Sequence, residues 1–245
     1  MIKQLLAAFS GQPTRQPASP RGSKIAVGCG AVHHFIRQIH RDGIDRGAVA
    51  SFGNTFEIEQ TFSEHSGIVA GALMSVEKRV REGKREGTAL YDSLVSLGES
   101  FAHASTSRPA FGLVIAVTDG KDISSTRFRA TPTRAGEAYR RAIEASPNPI
   151  LSVLIGVGSN DEIDHTALQG LARSGDMRLV TVENMNQLGN ILANLGTQIQ
   201  RGTVDRLITN GREAVLTRHH VDRVTVIPYD YAILMDRSGS MAENA

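Results

Sequence analysis

The chain has 245 residues, of which 40% are hydrophobic and 21% are charged. This is enough apolar material for one large domain or two small ones, and it excludes global disorder. The net charge of +2 is too small, and the basic residues are too dispersed, to predict binding to nucleic acid.

Cysteine content and hydropathy bear on where the protein works. The single cysteine, Cys29, cannot form an intrachain disulfide, which favours a reducing compartment. No run approaches the roughly 20 apolar residues of a membrane-spanning helix. The opening MIKQLLAAFSGQ has one Lys and a short apolar stretch, as a signal peptide does, but no clear small-x-small cleavage site follows it. We therefore expect a cytoplasmic protein.

The chain begins with a short amphipathic segment and a loop. The loop, residues 11–23, reads GQPTRQPASPRGS and is rich in Pro, Gly and Ser, which is typical of a flexible connection. We therefore expect residues 1–23 to lie apart from a single domain that covers residues 24–245.

Helix and strand patterns follow one another from Lys24 onward. Apolar residues at helical spacing predict a helix in KIAVGCGAVHHFIRQI, with Gly43 ending it. Two strands are predicted in RGAVASF and TFEIEQTF, on either side of a Gly-Asn turn. Further helices are expected over residues 66–82 and from Thr88 onward. The first half of the chain therefore alternates between the two kinds of element.

The second half contains two continuous apolar runs, FGLVIAVTDG and ILSVLIGVGS. Each run stops at polar residues, as a strand buried on both faces does. Helices near residues 133–145 and 163–173, the short strand MRLVTVE and the helix NMNQLGNILANLGTQIQ continue the alternation. This pattern predicts an α/β fold with a doubly wound, mostly parallel sheet and helices on both faces.

Polar clusters fall where the predicted strands end, which is the edge at which ligands bind in such sheets. DRSGS follows the apolar YAILM, TDGKD follows LVIAV, and GT precedes the helix ALYDSL. Together they supply two carboxylates and three hydroxyls, from Asp236, Ser238, Ser240, Thr88 and Asp119. Oxygen ligands without Cys or His suit Mg²⁺ or Mn²⁺ better than zinc. Gly239 allows a tight turn that directs alternate side chains at a common centre.

These motifs resemble those of a known family. DRSGSM, GTALYD and VTDGKD are similar to the three parts of the metal-ion-dependent adhesion site of von Willebrand factor A domains, also called integrin I-type domains. The resemblance runs from about residue 24 to residue 200 and again from about residue 226 to residue 242. It implies a Rossmann-like fold and a divalent ion with an open position that an Asp or Glu of a partner fills.

The resemblance also implies a role for each motif residue. Ser238, Ser240 and Thr88 are expected to bind the ion directly, and Asp236 and Asp119 to contact it directly or through water. Family members inside bacteria often act as adaptors for large assemblies, including AAA+ ATPases. The resemblance therefore implies metal-dependent protein binding without catalysis.

Two further residues lie next to the expected ion. Lys121 and Asp122 follow Asp119 in the same loop and are candidates for setting partner choice, although a solvated loop explains them equally well.

The order of the motifs differs from that of the family, in which the Asp-x-Ser-x-Ser strand comes first. Here that strand comes last, which we interpret as a circular permutation, natural or engineered. Residues 201–225 would then connect the last helix to a final strand in the middle of the sheet. We expect a monomer, and insertion of the final strand into a neighbouring copy is the alternative. A third interpretation, a truncated second domain, would leave sheet edges exposed.

Catalysis is the alternative from a different functional class. ILMDRS resembles the start of haloacid-dehalogenase-type phosphatases, with Asp236 as a Mg²⁺-dependent nucleophile. Those enzymes use a second Asp two positions further on, where this chain has Ser238. A serine hydrolase is disfavoured because the glycine that a nucleophile elbow needs two residues before the serine is missing.

Overall fold

The computed structural model describes residues 23–82, 87–104, 108–119, 121–159, 161–200, 206–209, 212–215 and 228–242. The expected amphipathic segment and most of the expected connection, residues 201–225, lie outside these ranges. The domain boundaries that the sequence suggests therefore stay predictions.

Helices and strands alternate through the described ranges much as the sequence predicts. The helices are α1 (Lys24–Ile39), α2 (Ser66–Arg81), α3 (Leu90–Ala104), α4 (Pro132–Glu144), α5 (His165–Ser174) and α6 (Met185–Gln200). The strands are β1 (Arg46–Phe52), β2 (Phe56–Ser63), β3 (Phe111–Thr118), β4 (Ile150–Val157), β5 (Arg178–Val182), β6 (Arg206–Thr209), β7 (Arg212–Val215) and β8 (Tyr229–Asp236). A short 3₁₀ helix, Gly239–Ala242, follows β8.

The main sheet has six strands in the order β2-β1-β8-β3-β4-β5. All neighbouring pairs are parallel except β1 and β2, which form an antiparallel hairpin. The α/β fold class predicted from the sequence is confirmed. The strand that comes last in the sequence, β8, lies in the centre of the sheet and pairs with β1 on one side and β3 on the other. Strands β6 and β7 form a separate antiparallel pair.

Helices cover both faces of the sheet, and alternate residues of β8 point into the two cores. Tyr231, Ile233 and Met235 are fully buried in a cluster with α1, α2 and α6. Ala232 and Leu234 are buried in the cluster on the other face, with α3, α4 and α5. A strand with both faces buried needs an apolar residue at nearly every position, which accounts for the uninterrupted run YAILM.

A buried carboxylate fixes the amino end of β8. The side chain of Asp230 is fully buried and accepts hydrogen bonds from the guanidinium groups of Arg46 and Arg108, with Arg108 Nη2 at 2.9 Å from Asp230 Oδ1. The backbone N–H of Tyr229 donates to Asp45 Oδ1 at 2.8 Å. Because a buried carboxylate left without its partners is strongly destabilising, these contacts hold the final strand in register with β1 and β3.

Two remaining features concern environment. In the part of the chain that the structure describes, none of the helices has the length and apolarity of a membrane span. Cys29 lies on the buried side of α1, and burial raises the pKa of its thiol to about 12.

Candidate metal centre

Strands β8 and β3 end side by side, and their last residues bring two carboxylates together. Val117 pairs with Met235 in the parallel register, so the next residues, Thr118 and Asp236, are neighbours. Asp119 follows directly. Asp236 is fully buried and Asp119 is 2% exposed. The carboxyl edge of the sheet therefore carries two acidic side chains that are almost removed from water.

A continuous chain of hydrogen bonds joins these carboxylates to the two serines. Asp236 Oδ2 accepts from Thr118 Oγ1 at 2.7 Å, and Asp236 Oδ1 accepts from the Ser238 N–H at 2.8 Å. Ser238 Oγ and Ser240 Oγ are 2.9 Å apart, and Ser240 Oγ donates to Asp119 Oδ1 at 2.7 Å. Four of the five residues predicted to hold the ion thus lie within one hydrogen-bonded cluster.

The turn after β8 separates the side chains of alternate residues. The Arg237 N–H donates to the Phe52 carbonyl at 2.7 Å, and its guanidinium reaches Glu57 Oε1 at 2.6 Å, towards the β1–β2 hairpin. The Met241 N–H donates to the Ser238 carbonyl at 3.1 Å, and the Met241 side chain is fully buried. The turn and its buried Met fix the backbone while the serine hydroxyls stay beside Asp119.

Thr88, the fifth predicted residue, lies on a different segment of the chain. It is 4% exposed and lies two residues before α3. Its carbonyl accepts from the N–H groups of Ile123 and Ser124, at 2.9 and 3.0 Å. These bonds place Thr88 against the loop that follows Asp119.

Burial and the charge of a neighbouring acid raise the pKa of each of the two carboxyl groups, Asp236 and Asp119. Burial, and secondly the charge of Asp119, raises the pKa of Asp236 to about 7. Burial also raises the pKa of Asp119 despite the hydrogen bond from Ser240 and the nearby charge of Lys24. Groups of this kind are stabilised as anions by an added cation.

A cation of the chain itself lies beside the centre. Lys24 Nζ, at the start of α1, is 3.4 Å from Asp119 Oδ2 and 3.2 Å from Glu162 Oε1. Partial burial alone would lower the pKa of Lys24, but the two acidic neighbours raise it overall, so the ammonium is charged at neutral pH.

The donor set fits a hard divalent ion. Asp119 Oδ2 is a buried oxygen that accepts no hydrogen bond in the described structure, and its described polar neighbour is the cation of Lys24, at 3.4 Å. The described residues contain no group of three or more His, Cys, Asp and Glu side chains that could hold a metal. The predicted set has only two carboxylates and relies on hydroxyls, a combination that suits Mg²⁺ or Mn²⁺ retaining part of its water.

Known proteins resemble this chain in fold but not in sequence. No protein-family model and no curated protein sequence matches this chain. Solved structures do match. A von Willebrand factor type A protein from Catenulispora acidiphila superposes with a TM-score of 0.53 at 17% identity, over 75% of this chain and 39% of that one. The chain has a von Willebrand factor A-like fold. The match covers less than half of the length of the Catenulispora acidiphila protein.

Two other structures share this A-type fold. The conserved hypothetical protein BatB from Bacteroides thetaiotaomicron gives a TM-score of 0.52 at 13% identity, over 72% of this chain and 88% of that one. A variant of the PilB minor pilin from Streptococcus sanguinis gives 0.54 at 13% identity, over 79% and 58%. The superpositions establish the shared fold. At identities this low they do not establish a shared activity or shared partners.

Asp122 has an internal role that the sequence did not indicate. Its Oδ2 accepts from the Tyr91 N–H at 2.8 Å and from Ser125 Oγ at 2.6 Å, which ties the loop after β3 to the start of α3. The neighbouring Lys121 is exposed. A contact between either residue and a partner stays a prediction, and for Asp122 it would have to form alongside these internal bonds.

Sequence reasoning missed several residues that contact the centre or order the loop that follows Asp119. Asp92 accepts from the N–H groups of residues 126–128, and although burial opposes it, these bonds lower the pKa of Asp92. Asp92 and Thr118 stand inside the motifs GTALYD and VTDGKD, so the motifs carried a signal for them. Lys24 and Glu162 come from distant segments with no motif, and only the folded structure brings them to Asp119.

Proposed function

We propose that this protein is a non-catalytic binding module that holds Mg²⁺ or Mn²⁺ at the candidate metal centre and offers the ion to a carboxylate of a protein partner. The observation that supports it most directly is the cluster of Asp236, Ser238, Ser240 and Asp119, in which one buried Asp119 oxygen accepts no hydrogen bond. The A-type fold places this cluster at the edge of the sheet where ligands gather.

Each residue has a defined part in the proposal. The hydroxyls of Ser238, Ser240 and Thr88 would contact the ion, and Asp236 and Asp119 would contact it directly or through water. When bound, the ion supplies positive charge that attracts an Asp or Glu side chain. Thr118 and the Ser238 N–H orient the Asp236 carboxylate, so the cluster needs little rearrangement to receive a cation.

The geometry of Asp236 argues against phosphotransfer. An attacking carboxylate must reach a phosphate ester, whereas the Asp236 side chain is fully buried and both of its oxygens accept hydrogen bonds from within the protein. A single ion or water molecule is small enough to approach such a carboxylate, and a phosphate ester is not. An adaptor role in a larger assembly, with an AAA+ ATPase as one candidate, follows from the resemblance of the motifs and belongs to the same proposal. A cytoplasmic location stays a prediction.

We further infer that the chain is a circular permutation of the usual A-type order. Support comes from β8, which follows α6 in the sequence but lies between β1 and β3 in the sheet. The start of α1 and the 3₁₀ helix after β8 also meet at one residue, because Lys24 Nζ is 3.4 Å from Asp119 Oδ2 and Ser240 Oγ is 2.7 Å from Asp119 Oδ1. The two ends of the described domain are therefore close in space.

Isothermal titration calorimetry with Mg²⁺ and with Mn²⁺ tests the metal part. We expect saturable binding at one site in the natural chain, and loss of binding in Asp236→Ala. Asp161→Ala is the matched control because Asp161 is an exposed acidic residue and its removal changes the net charge equally. Absence of binding in the natural chain, or equal binding in Asp236→Ala, would contradict the proposal.

The carboxylate part is tested by water proton relaxation on the Mn²⁺-loaded protein. An ion with an open position exchanges bound water and enhances relaxation, and an acidic side chain that takes this position removes the water. We therefore expect a short peptide containing Glu to lower the enhancement, and the same peptide with Gln to leave it unchanged. Equal effects of the two peptides would refute carboxylate recognition.

A further inference from the structure

Lys24 and the expected divalent ion would act on the same oxygen. Lys24 Nζ is 3.4 Å from Asp119 Oδ2, the buried oxygen that accepts no hydrogen bond. The Lys24 side chain is 14% exposed and that of Asp119 is fully buried, so water screens this pair only weakly. An ammonium in this place neutralises Asp119 without any metal.

A second carboxylate is already in place to receive the ammonium. Glu162 Oε1 is 3.2 Å from Lys24 Nζ, while the other oxygen of Glu162 accepts from the Ser159 N–H at 2.7 Å. The hydrogen bond to the backbone holds Glu162 in position independently of Lys24. The Lys24 ammonium now pairs with both Asp119 and Glu162. A small rotation at the end of the lysine side chain would break the pair with Asp119 and keep the pair with Glu162.

We propose that Lys24 is a built-in competitor of the divalent ion, which neutralises Asp119 in the metal-free protein and is transferred to Glu162 when the ion binds. The proposal rests on the proposed function and adds a form of regulation to it. Its physical basis is that two cations beside one carboxylate repel each other, so the ion binds only as tightly as it outcompetes the ammonium. The metal affinity of the centre is then set by a residue that does not contact the ion.

Calorimetric Mn²⁺ titrations of three variants test this. Lys24→Met keeps the length of the side chain and removes its charge, and we expect a dissociation constant about tenfold lower, which corresponds to about 1.4 kcal/mol. Glu162→Gln removes the receiving carboxylate, and we expect severalfold weaker binding. Lys78→Met is the charge-matched control, because Lys78 is a 74% exposed residue of α2 that pairs with Glu82 just after the helix, and we expect unchanged affinity.

A double variant separates competition from general electrostatics. If Glu162 acts by receiving the ammonium, Glu162→Gln changes the Mn²⁺ affinity much less in the Lys24→Met background than in the natural chain. If Glu162 acts only through its negative charge, the effects of Glu162→Gln and Lys24→Met on the free energy of Mn²⁺ binding are additive. Additive effects would overturn the transfer to Glu162.

Melting temperatures in EDTA supply a readout that does not depend on Mn²⁺ affinity, and the rise on adding Mn²⁺ checks the affinity by a second method. In EDTA, Lys24→Met should melt below the natural chain because Asp119 loses its counter-charge, and Mn²⁺ should raise its melting temperature by more. If the natural chain binds Mn²⁺ and Lys24→Met binds it equally or more weakly, the proposed competition by Lys24 is wrong and the proposed function stands. Absence of binding in both proteins overturns the proposed function as well.

Discussion

The environment of Asp236 couples the stability of the fold to pH. Burial first, and then the charge of Asp119, raises the pKa of Asp236 from 3.8 to about 7. A carboxyl group whose pKa is raised by folding binds its proton more tightly in the folded state than in the unfolded state. Its contribution to stability is therefore complete at low pH and is lost as the pH rises through the interval between these two values.

We predict that the metal-free protein loses stability through Asp236 between about pH 4 and about pH 7. Mn²⁺ should restore this loss, since the ion stabilises the carboxylate. Melting temperatures measured from pH 5 to pH 8, with EDTA or with Mn²⁺, give the comparison. Asp236→Asn is the control that removes this part of the pH dependence, and a metal-induced gain that does not grow with pH would contradict the prediction.

Helices and strands were predictable where a local pattern decides the structure. The run FGLVIAVT predicts a strand buried on both faces, and all eight residues of β3 are buried. The helix expected over residues 66–82 is observed as Ser66–Arg81. Contacts between distant segments carry no such pattern. Nothing in the local sequence distinguishes Asp122, which caps a neighbouring helix, from a solvated carboxylate, and nothing joins Lys24 to Asp119.

Close packing between α4 and α5 gives a prediction at the level of elements. A Cβ added at Gly136 would meet the carbonyl oxygen of Leu171 and lie 2.8 Å from the backbone nitrogen of Gly175. Gly71, in the interior of α2, has nothing within 4 Å of the same position. Both are helical glycines, so an alanine at each one tests packing against propensity.

We expect Gly136→Ala to lower the free energy of unfolding by about 1–3 kcal/mol, because backbone atoms of α5 have to move apart. Gly71→Ala should raise it by about 0.5–1 kcal/mol, because only the helix propensity changes. Urea unfolding followed by circular dichroism measures both. Equal effects of the two substitutions would mean that α4 and α5 do not approach as closely as described.

At the level of the whole molecule, the proposed permutation can be tested by reversing it. A chain that begins with residues 228–242 and continues with residues 23–200 has the usual A-type order and lacks the connection. We predict that it folds as a monomer and binds Mn²⁺ with the affinity of the natural chain, since every strand of the six-stranded sheet keeps its neighbours. Light scattering and calorimetry provide the measurements, with Asp236→Ala in the same background as the control.

Failure of this rearranged chain would also be informative. If it does not unfold cooperatively, residues 201–227 are part of the domain and not only a connection. If the natural chain is a dimer and the rearranged chain a monomer, the final strand of the natural chain inserts into a neighbouring copy. Either result would revise the domain organisation expected from the sequence.

The central position of β8 has a consequence for protein synthesis. β8 is the last strand of the sheet to leave the ribosome, so a nascent chain that has not reached Tyr229 exposes the unpaired edges of β1 and β3, which favours aggregation or chaperone binding. Such a chain also lacks Asp236, Ser238 and Ser240. If the chain binds a partner through a metal ion as proposed, incomplete translation products that lack these three residues would not compete for that partner.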